Sequence, residues 1–304
     1  YRRRGDRCGA RTGNGGAGVT AGRDVGSPSI RCGETPAPGG GHGVVQPRTG
    51  RAGVEVRRLE TDRSFPRHSH DQFGVGVLTG GWQRSWSGRG MVEAGAGSVI
   101  TVNPGEMHDG LAVGGVRRAW TMLYLDPATA GAVLDDLGSR ADAIALPVIA
   151  DDDLAARLLG AARALSVAST DSLPGDEGLV AALGRLFGRY GNRRGPRPDL
   201  PAPVERVRQR LDDAPTAPAT LAELAALAGL GRFQLLRAFE RAFGVSPAAY
   251  RLQRRVGLAR ACLAAGDTPV EAALKAGFAD QSHLTRAFSR QFGITPARYR
   301  AACR

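Results

Sequence analysis

The chain has no run of about 18 apolar residues, so no segment of it reads as a membrane-spanning helix. It also lacks a charged start followed by an apolar stretch and a small-residue cleavage site, which argues against secretion and for a cytoplasmic protein. Lysine is nearly absent: of 41 basic residues only Lys275 is not an arginine. The four cysteines, Cys8, Cys32, Cys262 and Cys303, form no Cys-x-x-Cys pair. This excludes a zinc knuckle or a disulfide framework and leaves four reduced thiols. No nucleophile–base pair, phosphate-cradling loop or complete metal-ligand set is legible, so no catalytic residue, metal or cofactor is assigned and no enzyme activity is expected.

What is there suits a globular protein of about two domains. The 304 residues are 42% hydrophobic and 23% charged, enough for a real core. The net charge of +12 is unevenly placed: +5 over residues 1–50, −1 over 51–200 and +8 over 201–304. A near-neutral middle followed by a basic end points to a polyanionic partner for that end. Arginine abundance alone is a weak signal, because Gly- and Ala-rich chains from GC-rich coding are rich in it too.

Residues 1–50 contain fourteen glycines and no apolar period. Such a segment buries too little to offset its ordering entropy, so it reads as a disordered tail. Over residues 51–140, short stretches at 53–59, 72–78, 83–87, 98–102 and 119–125 alternate with turn residues, the pattern of a small β-barrel or sandwich. Residues 141–192 turn helical, with one stripe through Leu154, Leu158, Leu159, Ala162 and Leu165 and another through Leu179, Leu183, Leu186, Phe187 and Tyr190. Those stripes need a cover, either the barrel or a second chain, and the segment is a candidate dimerisation element. Residues 193–203 have the composition of a linker.

From residue 204 to 304 the chain reads as short, punctuated helices. Thr220 with Glu223 and Thr268 with Glu271 form capping boxes. Pro247, Pro269 and Pro296 suit first helical positions, and Gly229, Gly244, Gly266, Gly277 and Gly293 suit helix ends. This region repeats itself: LLRAFERAFGVSPAAYR at 235–251 aligns with LTRAFSRQFGITPARYR at 284–300, with eleven identities in seventeen positions. Each unit is a helix, a tight turn and a second helix, the helix-turn-helix arrangement. The intervening helix would span roughly 28 Å at 1.5 Å per residue, close to the roughly 34 Å between successive major-groove faces of a duplex.

In the first unit Leu235, Ala238, Phe239 and Ala242 should point inward, leaving Arg232, Phe233, Leu236 and Arg237 outward. In the second, Leu284, Ala287 and Phe288 point inward, leaving Gln281, Ser282, Thr285, Arg286 and Ser289 outward. Arg can grip guanine, Gln adenine, and apolar groups the thymine methyl. The stretch GFADQSHLTRAFSRQFGITPARYR at 277–300 resembles the signature of the AraC/XylS family of transcriptional regulators, a likeness that covers about the last hundred residues. The resemblance implies two helix-turn-helix units on adjacent major grooves of double-stranded DNA. It places base contacts on Phe233, Leu236 and Arg237, then Gln281, Ser282, Thr285 and Arg286, with Arg232 beside them. The first unit departs from the pattern, with Gly231 in place of a capping Ser or Thr and apolar Leu236 at a position that is often polar.

The middle of the chain carries His68-Ser69-His70 and His108 within NPGEMHDG. With Gly97, Asn103, Pro104 and Gly105, these resemble the two motifs of the cupin barrel. The spacing puts two imidazoles on one strand face and a third on a neighbouring strand. In metal-binding cupins these would be ligands, joined by a Glu at the place held here by Gly74 or Val75. Polar lining of an effector pocket, ordinary structural histidines and a three-histidine metal site all remain open. Trp82, Arg84, Trp86, Trp120, Met122 and Tyr124 fall on alternating inward positions, suited to a sugar, a small organic acid or plain barrel core. Glu106 and Asp109 read as turn residues. The expected fold is thus multidomain, a cupin-like β-barrel followed by an all-α domain with two helix-turn-helix units. The expected effector site is His68, His70, Trp82, Arg84, His108 and Trp120. By resemblance the protein is a ligand-controlled regulator, with a homodimer partner and RNA polymerase as a further partner; the rival is a metal-dependent cupin enzyme fused to a DNA-binding module.

Overall fold

Alternation of apolar and polar residues builds the first half into two facing sheets. The computed structural model describes residues 41–88, 90–167, 173–193 and 200–303. The strands are β1 (His42–Val45), β2 (Val54–Thr61), β3 (Phe65–His68), β4 (Phe73–Gly80), β5 (Trp82–Ser87), β6 (Gly90–Gly95), β7 (Val99–Val102), β8 (His108–Ala112) and β9 (Arg118–Leu125). Two short strands, β10 (Ala143–Ile144) and β11 (Val148–Ile149), follow α1 (Pro127–Asp136). One antiparallel sheet runs β1-β2-β9-β4-β7-β11 and the other β3-β8-β5-β6.

The larger sheet is covered on both faces. Val75 and Val77 of β4 and Leu123 and Leu125 of β9 face the helices α2 (Asp152–Ala164) and α3 (Leu173–Tyr190). Leu78, Trp120 and Met122, on the opposite phase of the same strands, face the second sheet. Hence β4 is buried along nearly its whole length. Gly76 is required where β9 crosses closely: a Cβ there would collide with the Thr121 carbonyl and the Met122 backbone.

One expectation is corrected and one of two open alternatives is met. The tail does not run to residue 50: His42–Val45 pairs with β2 from His42 opposite Thr61 to Val45 opposite Arg58. The backbone ladder, rather than apolar composition, holds that strand. The leucine stripes of 141–192 are covered by their own chain, not left for a partner. Leu154, Leu158, Leu165, Leu183 and Leu186 are all buried in one cluster with the sheet. The segment also holds β10, β11 and β12 (Gly191–Asn192), with β12 pairing back onto β10. Asp151 anchors the helix pair by capping α2 through Leu154 N at 3.0 Å and accepting from Arg185 and the Tyr190 hydroxyl.

The helical region consists of α4 (Ala202–Asp213), α5 (Leu221–Ala228), α6 (Arg232–Phe243), α7 (Pro247–Ala264), α8 (Pro269–Lys275), α9 (Gln281–Phe292) and α10 (Pro296–Cys303). Helix α4 begins at Ala202, inside the span read as linker, while residues 1–40 of the tail, 194–199 of the linker, and Cys8 and Cys32 lie outside the described residues. The capping boxes at Thr220 and Thr268 form with both hydrogen bonds in place. Gly244 and Gly293 end the two recognition helices at φ 68° and 71°, a backbone that costs other residues dearly.

The repeat is kept in its tertiary bonds as well as its sequence. Arg206 of α4 donates to the carbonyls of Leu227 and Ala228 at the end of α5. Arg255 of α7 donates to Ala276 and Gly277 at the end of α8, one repeat later. Both guanidiniums satisfy carbonyls that a helix end leaves unpaired. The first unit has its own core, Val204, Val207, Leu211, Leu224, Leu235 and Phe239. The second does not: Leu263, Phe288, Phe292 and Tyr299 merge with Leu78, Trp120 and Met122 in a single cluster. The second helix-turn-helix is docked on the barrel.

Candidate functional site: a barrel cavity beside a recognition helix

Between the two sheets lies a cavity of about 110 Å³. His68, His70, His108 and Trp120 line it, as do Trp86, Met122 and Tyr124. His68 and His70 do not share one strand as expected, while His108 does lie on a neighbouring strand. His68 ends β3 opposite His108 of β8, and His70 sits in the following loop. Their rings nevertheless converge, with centroids 4.3 Å apart for His68 and His108, 4.9 Å for His70 and His108, and 6.3 Å for His68 and His70.

Each Nδ1 faces a backbone carbonyl: Pro66 at 2.8 Å, Gln72 at 2.9 Å and Glu106 at 3.0 Å for His68, His70 and His108. A carbonyl can only accept, so each Nδ1 carries the proton. Burial, reinforced by His108, lowers His68 to about 3 and holds His70 well below its ordinary value. Burial also lowers His108 to about 4. At neutral pH all three are uncharged with a bare Nε2.

Among the described residues no group of three or more His, Cys, Asp or Glu is placed to hold a metal ion. The place of the cupin carboxylate is held by Gly74 or Val75, and neither side chain supplies an oxygen ligand. The site therefore does not fit the four-ligand set of metal-binding cupins.

Trp82 and Arg84 do not line the cavity. The alternation on β5 has the opposite phase: Gln83, Ser85 and Ser87 turn inward, while Arg84 is exposed and pairs with Glu93 at 2.9 Å. The reason is that β6 sets the inner face with Val92 and Ala94, and a guanidinium there would lose its water. Asp109 is on the cavity wall, with Oδ1 accepting from Trp86 N at 2.6 Å and Oδ2 paired with Arg67 at 3.4 Å. Glu106 is a turn residue, accepting from Gly88 N and Asn103 N.

Lining residues missed by sequence include Arg57, Gln291 and Phe292. Arg57 follows from the alternation of β2, where Val56 faces the helices. Gln291 and Phe292 come from the last turn of α9 and had no local signal. Gln291 donates to the Ser69 carbonyl at 3.1 Å, and Arg57 donates to the Phe292 carbonyl at 3.4 Å. His42 Nε2 donates to the Gly293 carbonyl at 2.7 Å. A wall of the cavity is thus the end of a helix whose other end is free.

At that free end Gln281, Ser282 and Arg286 are exposed and Thr285 is half-buried. Asp280 caps the helix by accepting from His283 N at 2.7 Å. On α6, Arg232, Phe233 and Arg237 are exposed, Phe233 at 82%. Leu236 is not free: it is half-buried beside Leu224 and Leu252 in a groove. Ala242 is exposed rather than inward, because Tyr250 and Phe243 fill the space beside Phe239.

Many arginines in this half are engaged by the fold, Arg208, Arg254 and Arg260 among them in ion pairs. Arg206, Arg251, Arg255 and Arg300 are spent on backbone carbonyls. Among the described residues, Arg232, Arg237 and Arg241 on α6 and Arg286 and Arg290 on α9 are exposed and have no hydrogen-bond or ion-pair partner. Both recognition helices thus present cations that the fold does not use.

A sensor-like barrel joined to a duplicated helix-turn-helix defines a ligand-binding, DNA-binding class of protein. Residues 52–187 match the AraC-like ligand binding domain and residues 224–302 a helix-turn-helix domain. The chain belongs to the AraC/XylS family of transcriptional regulators. Among curated proteins it is similar to the HTH-type transcriptional regulator YbfI of Bacillus subtilis, 33% identical over 88 residues, 28% of this chain. That match spans 32% of the relative's length. Among solved structures it is similar to fatty-acid-bound ToxT from Vibrio cholerae, at 14% identity and a TM-score of 0.49, covering 81% of this chain and 94% of that one. A probable AraC family regulator from Rhodopseudomonas palustris is 28% identical with a TM-score of 0.33, covering 34% of this chain and 99% of that one.

Proposed function

We propose that this protein binds double-stranded DNA at specific sequences and regulates transcription in response to a small-molecule effector held in the barrel cavity. The observation that carries this reading is the pair of recognition helices with unpartnered arginines, set on a scaffold whose other arginines are engaged. Arg232, Phe233 and Arg237 would read one half-site, with Leu236 at its edge. Gln281, Ser282, Thr285 and Arg286 would read the other. His68, His70, His108 and Trp120 would face the effector, joined by Arg57, Gln291 and Phe292 in place of Trp82 and Arg84.

The protein acts in this reading as a non-enzymatic, cytoplasmic regulator; among the described residues no helix is long and apolar enough to cross a membrane. A second copy of the chain and RNA polymerase are its further protein partners. The cupin-enzyme alternative loses ground to the missing carboxylate, since Gly74 and Val75 stand where that ligand would be. Footprinting of the purified protein on its own upstream DNA, at stated salt, tests the reading. Protection over two adjacent major-groove turns that survives competitor DNA is expected. Sequence-blind, salt-sensitive binding alone would overturn it.

A further inference from the structure

Resting on the effector reading above, we infer that the cavity takes a single-ring, hydrogen-bond-donating molecule, uncharged or cationic, and rejects carboxylates of the same size. Three observations carry this. The first is size: at about 110 Å³ the cavity matches one aromatic ring, since a cavity near 150 Å³ accommodates benzene. Trp86, Trp120, Tyr124 and Phe292 supply its aromatic walls.

The second is the direction of the polar groups. His68, His70 and His108 each give their N–H to a backbone carbonyl, and no partner for any Nε2 exists among the described residues. His68 and His70 are more than nine-tenths buried in residue surface or at that limit, at 9% and 7% exposure. Three imidazole rings, each with an unpartnered acceptor, crowd together on the cavity wall. A buried acceptor without a donor costs free energy that an O–H or N–H from a ligand recovers.

The third is charge. Arg57 is the one cation among the described lining residues, and it is already engaged. Its Nη2 pairs with Glu55 at 3.1 Å, its Nη1 reaches the Phe292 carbonyl, and its guanidinium lies 4.6 Å from the centre of the Tyr124 ring. Its Nε is sealed from the cavity. The Asp109 carboxylate on the wall is held by Arg67 and Trp86 N and offers an anion no donor. A carboxylate would meet no cationic imidazole there, because burial keeps the histidines neutral. The cavity is therefore rich in acceptors and has no free cation to meet an acid.

The test uses the full chain and four probes of matched size: phenol, aniline, toluene and benzoate. Binding is read by fluorescence of the cavity tryptophans and by the shift in Tm at pH 7. Phenol and aniline are expected to bind saturably, at least tenfold tighter than toluene, with benzoate weaker still. His70→Phe and His108→Phe should remove the preference for phenol over toluene while keeping toluene binding. The comparison of probes on the unaltered protein stands even where a variant fails to fold. Benzoate binding tightest, or no probe binding, overturns the inference. So does stoichiometric Zn²⁺ binding that is lost in both variants, which would make the histidines metal ligands. Footprinting in parallel separates the two readings: specific DNA protection with no preference for donors leaves the regulator standing and removes only this ligand class.

Discussion

The hydroxyl of Tyr299 donates to Glu55 Oε1 at 2.7 Å, whereas its repeat counterpart Tyr250 donates to Asp212 Oδ1 at 2.9 Å. One tyrosine closes its own helical unit. The other reaches out of its unit to strand β2. Glu55 gathers Arg260 of α7 at 2.8 Å and Gln72 at 3.2 Å on the same oxygen, so a single half-buried carboxylate ties the barrel to two helices. Tyr299→Phe should cost about 1.5–3 kcal/mol, the worth of one hydrogen bond to a charged group. Hydrogen exchange should speed up where α10 meets the barrel. In Tyr250→Phe it should speed up in α4 instead, and the same pattern in both would show that Tyr299 is not an anchor.

Arg286→Ala should lower affinity for the specific site by about 1–3 kcal/mol, with a much smaller loss on random DNA. Arg237→Ala should do the same at the other half-site. Competition binding at fixed salt checks both, and equal losses on the two DNAs would assign those side chains to phosphate.

Leu183, fully buried between α3 and the sheet, should cost about 2–5 kcal/mol on substitution by Ala. Sedimentation should show no change in oligomeric state, because that leucine faces its own chain. A subunit dissociation caused by Leu183→Ala at unchanged Tm would reverse the assignment.

The histidines make stability depend on pH with a definite sign. Their folded pKa values lie below the ordinary 6.5, at about 3 for His68 and about 4 for His108. The unfolded chain therefore binds more protons as pH falls below 6.5, and stability present above that value is lost progressively. Tm should fall between pH 6.5 and 4, and His108→Phe should flatten that slope. Arg57 and Asp109 face the same space but are present in both proteins, so the difference isolates the imidazole. An unchanged slope would mean that His108 is charged in the folded state.

The helical half was legible because its signals are local. Thr220, Thr268, Gly244 and Gly293 each mark an end by capping chemistry that works within a few residues. The β5 face was not. Trp82 and Arg84 alternate as convincingly as Gln83, Ser85 and Ser87, and only pairing with β6 and β8 decides which set turns inward, with Trp86 at the strand end reaching the cavity as well. The three histidines could be picked out by spacing, but their tautomers depend on carbonyls that spacing does not place. Strand β1 was hidden because His42–Val45 sits in glycine-rich sequence and owes its conformation to backbone pairing. Arginine count was a poor guide to DNA contact for the same kind of reason: Arg206 and Arg255 meet helix ends that are distant in sequence.

Gln291 and Phe292 make one wall of the cavity, and no residue of α6 does. The two readers of DNA therefore stand in different relation to whatever fills the barrel. One shares a boundary with the occupant. The other stands at one remove, joined to it by α7, a rod of 18 residues and about 27 Å, and by Arg67, which lies between Gly244 and Trp86. The promoter should feel this as a division of labour between its half-sites, one a fixed address that secures the protein and the other a dial that chemistry can turn.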